Sequence, residues 1–427
     1  MALALGDFAF RAVIPAYAYD KNDFSDPYCA SWLWLHGQNP YDVGLATRIN
    51  HDLAHTDAKI VPVYPATAYV LVSPLSLLPW RFANLLWALL GVTAVSLMAC
   101  LLPRIAGFSF GEDRAWFLAA CVFCAAPLHT SLHVANSAAI AIGLCVLAIY
   151  FAGRDMNAWA GTILALAVCL KPQLGIWIFV FYLVRLRWRV VLPAAALGAI
   201  VAAVALLRIP MSMLALMHNY GANLHYWFRP GGMNDFSAAN PFRFELLNAQ
   251  VALAPLLSSA VAANVAAWVL FAAGIGIWLW AVLRRPFCDD LLAISSLMAL
   301  ALIPVYHRSY DGGIVLLALG WLLQRHSEQL RSISGAVAFA IFALLAPGEL
   351  AIRFLTLHLP TSVLNGWWWN RMIAAYAPWM VLLLNGFLLD ALAMMQVKSG
   401  DGVRDRLNGT GTASIAHSHM CEAECKG

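Results

Sequence analysis

Lys171 stands in Leu-Ala-Val-Cys-Leu170-Lys171-Pro172-Gln173, a lone cation between two apolar runs. Pro172 breaks any helix that passes through and frees backbone groups that need partners. A lysine there either binds an anion or reaches from a helix end to the interface; the second reading accounts for the lysine but not for its Pro and Gln neighbours. The turn Val305-Tyr-His307-Arg308-Ser-Tyr310-Asp311 carries a second polar set. Arginine offers bidentate contacts to phosphate and histidine a hydrogen bond or a proton. A solvated hairpin with a weak Arg–Asp pair is the competing reading. Nearer the N-terminus, Asp23, Asp26 and Asp42 lie among Tyr28, Trp32, Trp34 and Tyr41. General-base chemistry needs a carboxylate close to an acceptor hydroxyl and shielded from bulk water. The rings would give shielding and a stacking surface for a sugar, or else form an interfacial aromatic belt. Asp23 or Asp26 would otherwise be a helix cap, and on a helix the two would share a face.

Three further sets carry ligand-type side chains. His129, His133 and Asn136 fall at a helix junction. His51, Asp52, His55 and Asp57 place two histidines at i, i+4 spacing, which an exposed polar loop explains as well as a metal does. His417, His419, Cys421 and Cys425 near the C-terminus match no closed zinc pattern. No metal site is assigned.

The elements that must position these residues are apolar. The chain is 62% hydrophobic and 11% charged, with a mean hydropathy of +0.73, whereas soluble domains are about 25% charged. The fold class that follows is an all-α polytopic membrane protein with about 11–12 transmembrane helices. Apolar runs fall at 82–102, 115–130, 137–152, 157–170, 172–184, 190–207, 259–283, 288–306, 311–325, 333–350 and 371–394. Those shorter than about 17 residues are expected to be tilted, kinked or buried in protein. Residues 2–19, interrupted by Asp7, Arg11 and Pro15, read as neither a full span nor a cleavable signal. Residues 61–80 are apolar, but Pro62, Pro65, Pro74 and Pro79 leave little unbroken helix, so a re-entrant or interfacial element on the outer side is expected.

Basic loops at Arg185–Arg189, Arg284–Arg285 and Arg325–Arg331, with the tail from Lys398, mark the cytoplasmic side. The net charge of +4 is accounted for by those loops and calls for no nucleic-acid partner. The same parity puts 20–81 (a first outer loop with interfacial helices), 208–258 (a second outer loop), 307–310 and 351–370 outside. One unit is expected over 1–395, followed by a disordered cytoplasmic tail at 396–427. Of nine cysteines, Cys100, Cys121, Cys124, Cys145 and Cys169 read as small buried hydrophobes, and Cys29 alone faces outside, so no disulfide framework is expected. On this topology the polar groups at membrane level converge on the outer face.

That pattern resembles the family-87 glycosyltransferases, integral membrane enzymes of the GT-C fold that use polyprenyl-phosphate-linked sugars. Their first outer loop, Asp-Phe…Tyr…Ala…Gly…Asn/Asp-Pro-Tyr-Asp, is matched by Asp23, Phe24, Tyr28, Ala30, Gly37, Asn39, Pro40, Tyr41 and Asp42. Tyr64, Pro65, Ser73, Pro74 and Leu75 match the Tyr-Pro-Pro and Ser/Ala-Pro-Leu elements, with Ala66 in place of the second proline. Lys171-Pro172 matches a Lys-Pro that precedes a basic loop, and His307, Ser309, Tyr310 and Asp311 match a His/Ser-Tyr-Asp turn. The family's Gly-Gln-x-Asn turn is here His133-Val-Ala-Asn136. The likeness runs over roughly residues 20 to 395.

The resemblance implies a GT-C-type bundle that transfers a hexose, mannose being the family's usual sugar, from a polyprenyl-phosphate donor to a glycolipid or glycan acceptor. Transfer would be inverting, in a multi-pass protein of the inner or plasma membrane with its site on the outer face. Asp23 would be the catalytic base; Lys171, His307 and Arg308 would hold the donor phosphate. Asp26, Tyr28, Tyr41, Asp42, Tyr64, His133, Asn136, Gln173, Tyr310 and Asp311 would bind substrate. Membrane lipids are the other partners, and no cofactor is implied. A flippase or transporter of a lipid-linked saccharide would also need outer cations and broken helices, but a carrier wants a site reachable from both sides. An O-antigen-ligase-like transferase would use an outer His and Arg without Asp23.

Overall fold

In the computed structural model, residues 1–15, 23–257, 259–284, 289–324 and 331–394 are described. Their regular elements are helical, and the only paired extended chain among them is an isolated antiparallel bridge between Leu246 and Arg308. The protein is an all-α polytopic membrane protein. Among the described residues, five helices are long and apolar enough to cross a bilayer: Trp80–Ile105, Asp113–His133, Trp188–Leu207, Ala260–Arg284 and Tyr376–Met394. Gly335–Leu345 and Gly348–His358, bent by 58° across a short break, make a sixth if counted together.

Length thus qualifies five or six spans, fewer than the eleven or twelve expected from apolar runs. The remaining runs form short helices, among them Ala138–Gly153, Asn157–Leu170, Pro172–Val184 and Asp290–Ala301. At about 1.5 Å per residue, the 12-residue Asp290–Ala301 helix is far shorter than hydrocarbon is thick. It survives because protein replaces lipid around it: every residue from Leu291 to Ala301 is buried. Close backbone contact holds the short helices together. A Cβ on Gly161 would lie 2.3 Å from the Val190 carbonyl oxygen, so Asn157–Leu170 lies directly against Trp188–Leu207.

The N-terminal residues do form a helix, Ala2–Phe8, continued by a wider turn over Ala9–Val13. The two interrupting charges neutralise each other, with Arg11 3.5 Å from Asp7, and Phe8 packs on Phe123 at 5.3 Å. The proline-rich stretch runs extended to Pro65 and then forms the 11-residue Ala66–Ser76 helix. That helix packs against Ser25–Leu35, Asn157–Leu170 and Trp188–Leu207.

Cys29 is buried, with Sγ 3.9 Å from Asn50 Oδ1. Cys145 and Cys169 are buried as expected, whereas Cys121 is half-buried and Cys100 and Cys124 are exposed. Arg285, most of the Arg325–Arg331 loop and the whole 396–427 tail, with His417, His419, Cys421 and Cys425, lie outside the described residues.

Candidate functional site

Three chain breaks build the site. The first lies between the Asn157–Leu170 and Pro172–Val184 helices, where Pro172 cannot continue the hydrogen-bond ladder. Thr67 Oγ1 donates to the Cys169 carbonyl oxygen at 2.8 Å, satisfying one of the groups freed by the break. Gly175 lets the two helices close: a Cβ there would lie 2.7 Å from Val168 N. Lys171 is turned inward at this elbow and is buried.

The second break is the turn at 134–137. Ala135 has a left-handed φ of 52°, a conformation that costs a residue with a Cβ and persists only when its surroundings hold it. Trp87 Nε1 donates to the Ala135 carbonyl oxygen at 2.9 Å, and Asn136 N donates to the Ser131 carbonyl oxygen at 2.8 Å. The side chain of Asn136 then reaches two ways. Its Nδ2 donates to Asp23 Oδ2 at 2.9 Å, and its Oδ1 accepts from Lys171 Nζ at 2.9 Å.

The third is the turn at 304–311. Leu247 N donates to the His307 carbonyl oxygen at 2.8 Å, which pins the turn to the loop before it. Asp311 Oδ1 lies 2.6 Å from Lys171 Nζ, and Asp311 Oδ2 lies 3.0 Å from His307 Nδ1. Lys171 Nζ also sits 4.5 Å from the centre of the Tyr310 ring. One polar chain therefore runs Asp23–Asn136–Lys171–Asp311–His307. Beside it, Arg308 pairs with Glu245, which also pairs with Arg353.

These groups face a cavity of about 570 Å³. Its walls include Asp23, Asp26, Tyr64, Asn136, Lys171, Gln173, Arg308 and Tyr310, eight of the residues singled out in the sequence. His307 and Asp311 stand behind the wall, both buried, with Asp311 against Lys171. Four others lie elsewhere. Tyr28 donates to the Leu78 carbonyl oxygen and packs edge-on against Trp80. Tyr41 is buried and donates to the Tyr64 carbonyl oxygen at 3.0 Å. Asp42 caps the Val43–Ile49 helix by accepting from Leu45 N. His133 is exposed at the end of the Ala126–His133 helix. The rings near Asp23 are thus packing elements: Phe24, the next residue, stacks on Trp87 at 4.6 Å. His129 packs against Phe8 and faces Asp7 at 3.8 Å, away from the cavity.

Among the described residues, no group of three or more His, Cys, Asp and Glu side chains is placed to hold a metal ion. In the His51 cluster, His51 lies 3.2 Å from Asp52 and 3.8 Å from Asp57, on the exposed surface.

Sequence reasoning missed the far wall. Tyr220, Leu224, Trp227 and Phe228 of the Met213–Phe228 helix line it, together with Tyr306 and Asn234. Asn223 fixes that helix by donating to the carbonyl oxygens of Tyr41 and Pro62 at 3.0 and 2.9 Å. Glu245 was also missed; its one signal was an acid two residues from Arg243, in a loop that also carries Arg229 and Asp235.

Two carboxyls open on this cavity, and their surroundings differ. Asp23 is exposed, but onto the cavity, and the protein packed about it raises its pKa above the ordinary 3.8. The Asn136 hydrogen bond and the charges of Arg308 and Lys171 pull it back down. Asp26 is raised well above 3.8 by desolvation; one hydrogen bond from Val63 N opposes this, and the neighbouring Asp23 adds to it. A carboxylate held beside two fixed cations can take a proton from a hydroxyl while the cations meet charge that develops elsewhere in the cavity.

Fold and site together define a polytopic helical membrane protein with a polar, charge-lined cavity. Residues 63–305 match the model of glycosyltransferase family 87, more than half of the chain, and the protein belongs to that family. It is a membrane glycosyltransferase. The matched stretch carries Tyr64, Asn136, Lys171 and Gln173, while Asp23, Asp26 and Arg308 flank it. No curated protein and no solved structure matches the chain.

Proposed function

We propose that this glycosyltransferase moves a hexose, with mannose the sugar expected, from a polyprenyl-phosphate donor to a hydroxyl of a glycolipid or glycan acceptor. The reaction takes place at the outer face of the cell membrane, with inversion at the anomeric carbon. The observation that carries the reading is the continuous Asp23–Asn136–Lys171 chain along one cavity wall, backed by Asp311 and with Arg308 beside it.

In that reading the acceptor hydroxyl gives its proton to Asp23 as its oxygen bonds to the anomeric carbon. The bond from that carbon to the phosphate oxygen breaks, and its electron pair leaves with the polyprenyl phosphate. Arg308 and Lys171 meet the charge that grows on that oxygen. Both are held before substrate arrives, Arg308 by Glu245 and Lys171 by Asp311, which is what makes fixed cations effective. His307 acts behind them, fixing the Asp311 carboxylate through Nδ1. Basic loops such as Arg185 and Arg187, both bonded to Asp290, sit at the cytoplasmic end.

The test uses the full-length protein in lipid nanodiscs with a polyprenyl-phosphate hexose and a glycoside acceptor. Asp23→Asn is expected to lower transfer by about 100- to 10,000-fold, the usual worth of a general base, while donor binding persists. An Asp23→Asn protein that still transfers at the wild-type rate would refute the mechanism.

A further inference from the structure

Asp26 is unlike the other charged groups of the cavity wall. Oδ1 is buried with no hydrogen-bond partner, and Oδ2 accepts only a long bond from Val63 N at 3.3 Å. The groups that face it are Asp23 and Cys29 from its own segment, Tyr41 from the next turn, Tyr64 and Tyr69 from around the Ala66–Ser76 helix, and Tyr220 from the Met213–Phe228 helix. Among the described residues these are carboxyls, phenols and a thiol, and none is a cation. Asp23, three residues away, has instead an amide donor and feels Arg308 and Lys171. The dipole at the start of the Ser25–Leu35 helix favours the ionised form of Asp26, but it is weak and confined to the first turn. Desolvation without a counter-charge is the larger effect, and it acts on the charged form. Two carboxyls on one cavity, pushed apart by their surroundings, hold different protonation states.

We infer that the Asp26 carboxyl stays protonated in the working protein and donates a hydrogen bond to a sugar hydroxyl of the acceptor, turning that substrate so that its reacting hydroxyl faces Asp23. The proton stays on Asp26 throughout, so the residue is a positioning group and a determinant of acceptor choice. A protonated carboxyl offers one donor and retains an acceptor oxygen, the combination that recognises a hydroxyl. Oδ1, enclosed and unpaired, is least costly in a neutral carboxyl, and Asp26 itself lines the cavity where a hydroxyl would meet it. This inference rests on the glycosyl-transfer reading of the cavity.

The expected pH behaviour separates the two carboxyls. Asp23 must be ionised, so transfer falls as pH drops through its pKa. Asp26 must be protonated, so acceptor affinity falls as pH rises through its own. Asp26→Ala is expected to raise the acceptor KM about 10-fold, the worth of roughly one hydrogen bond, with donor KM little moved. Asp26→Asn, whose amide donates at every pH, is expected to restore most of that loss and to remove the alkaline limb. It should leave the acid limb in place, because a neutral carboxyl exerts no charge on Asp23. Asp26→Asn as damaging as Asp26→Ala, or an acid limb moved to lower pH, would show that Asp26 works ionised and would overturn the inference. A measurement independent of turnover completes the test. Wild-type protein taken from neutral to alkaline pH should lose an infrared carboxylic-acid stretch that Asp26→Asn lacks; its absence from wild type at neutral pH overturns the inference equally. Loss of transfer in wild type, or retention in Asp23→Asn, would instead count against the underlying reaction.

Discussion

Lys171 and Asp311 form the most enclosed pair of a lysine or arginine with a carboxylate among the described residues, and removing its charges singly and together makes the sharpest test of the site. Nζ and Oδ1 are 2.6 Å apart, with side chains 5% and 1% exposed. Taking one partner from a buried pair leaves the other charge uncompensated and costs about 3–5 kcal/mol. Lys171→Met would strand the Asp311 carboxylate with only the His307 imidazole. Asp311→Asn would strand the Lys171 ammonium with the Asn136 amide oxygen and the Tyr310 ring. Making both changes strands neither. The single variants are each expected to lose about 3–5 kcal/mol, and the double variant less than their sum by at least about 2 kcal/mol. Unfolding by increasing SDS in mixed micelles, followed by tryptophan fluorescence, measures all three. Transfer should not recover with stability, because the double variant has no cation at the elbow. Additive losses within about 0.5 kcal/mol would refute the view that the pair is one electrostatic unit. Recovered transfer would refute the role given to Lys171 in meeting phosphate charge.

Two further outcomes follow from the same geometry. Asn136→Ala removes a hydrogen bond that lowers the Asp23 pKa, so that pKa should climb further above 3.8 and the acid limb of kcat/KM should shift to higher pH; an unmoved limb would argue that Asp23 is not the base. Glu245→Gln leaves Arg308 and Arg353 without their shared anion and is expected to raise the donor KM about 10-fold, measured by donor titration at saturating acceptor; an unchanged donor KM would remove Arg308 from the phosphate site.

Much of the fold was legible because the membrane is an unforgiving solvent. Apolar runs reported helices, and prolines reported breaks, since neither choice is free in hydrocarbon. Span count was less legible, because an apolar run has the same composition whether lipid or protein surrounds it. Asp290–Ala301 reads as a membrane span yet is enclosed by its neighbours. The N-terminal helix was obscured for a local reason. Asp7 and Arg11 look like interruptions one by one, but at i, i+4 spacing they pair and the helix continues.

Legibility of the site divided along the same line. Lys171 declared itself because a cation next to proline at membrane depth has few structural excuses. Asp23 and Arg308 were readable as charges flanking apolar runs. Tyr28 and Tyr41 were not, since aromatic side chains serve packing and recognition alike, and here their hydroxyls are bound to backbone carbonyls. Glu245 was hidden for the opposite reason: a glutamate in a polar loop is ordinary, and only the fold brings it onto Arg308, 63 positions along the chain. The break at Pro172 ties both halves together. It shortens two helices so that neither is as long as a bilayer is thick, and it leaves Lys171 without a helical neighbour to shield it. Burial of those short helices by the rest of the bundle then encloses the ammonium, which obliges Asp311 to lie against it and His307 to hold Asp311. A straight helix here would have been easier to recognise as a span, and it would have carried no inward-facing cation.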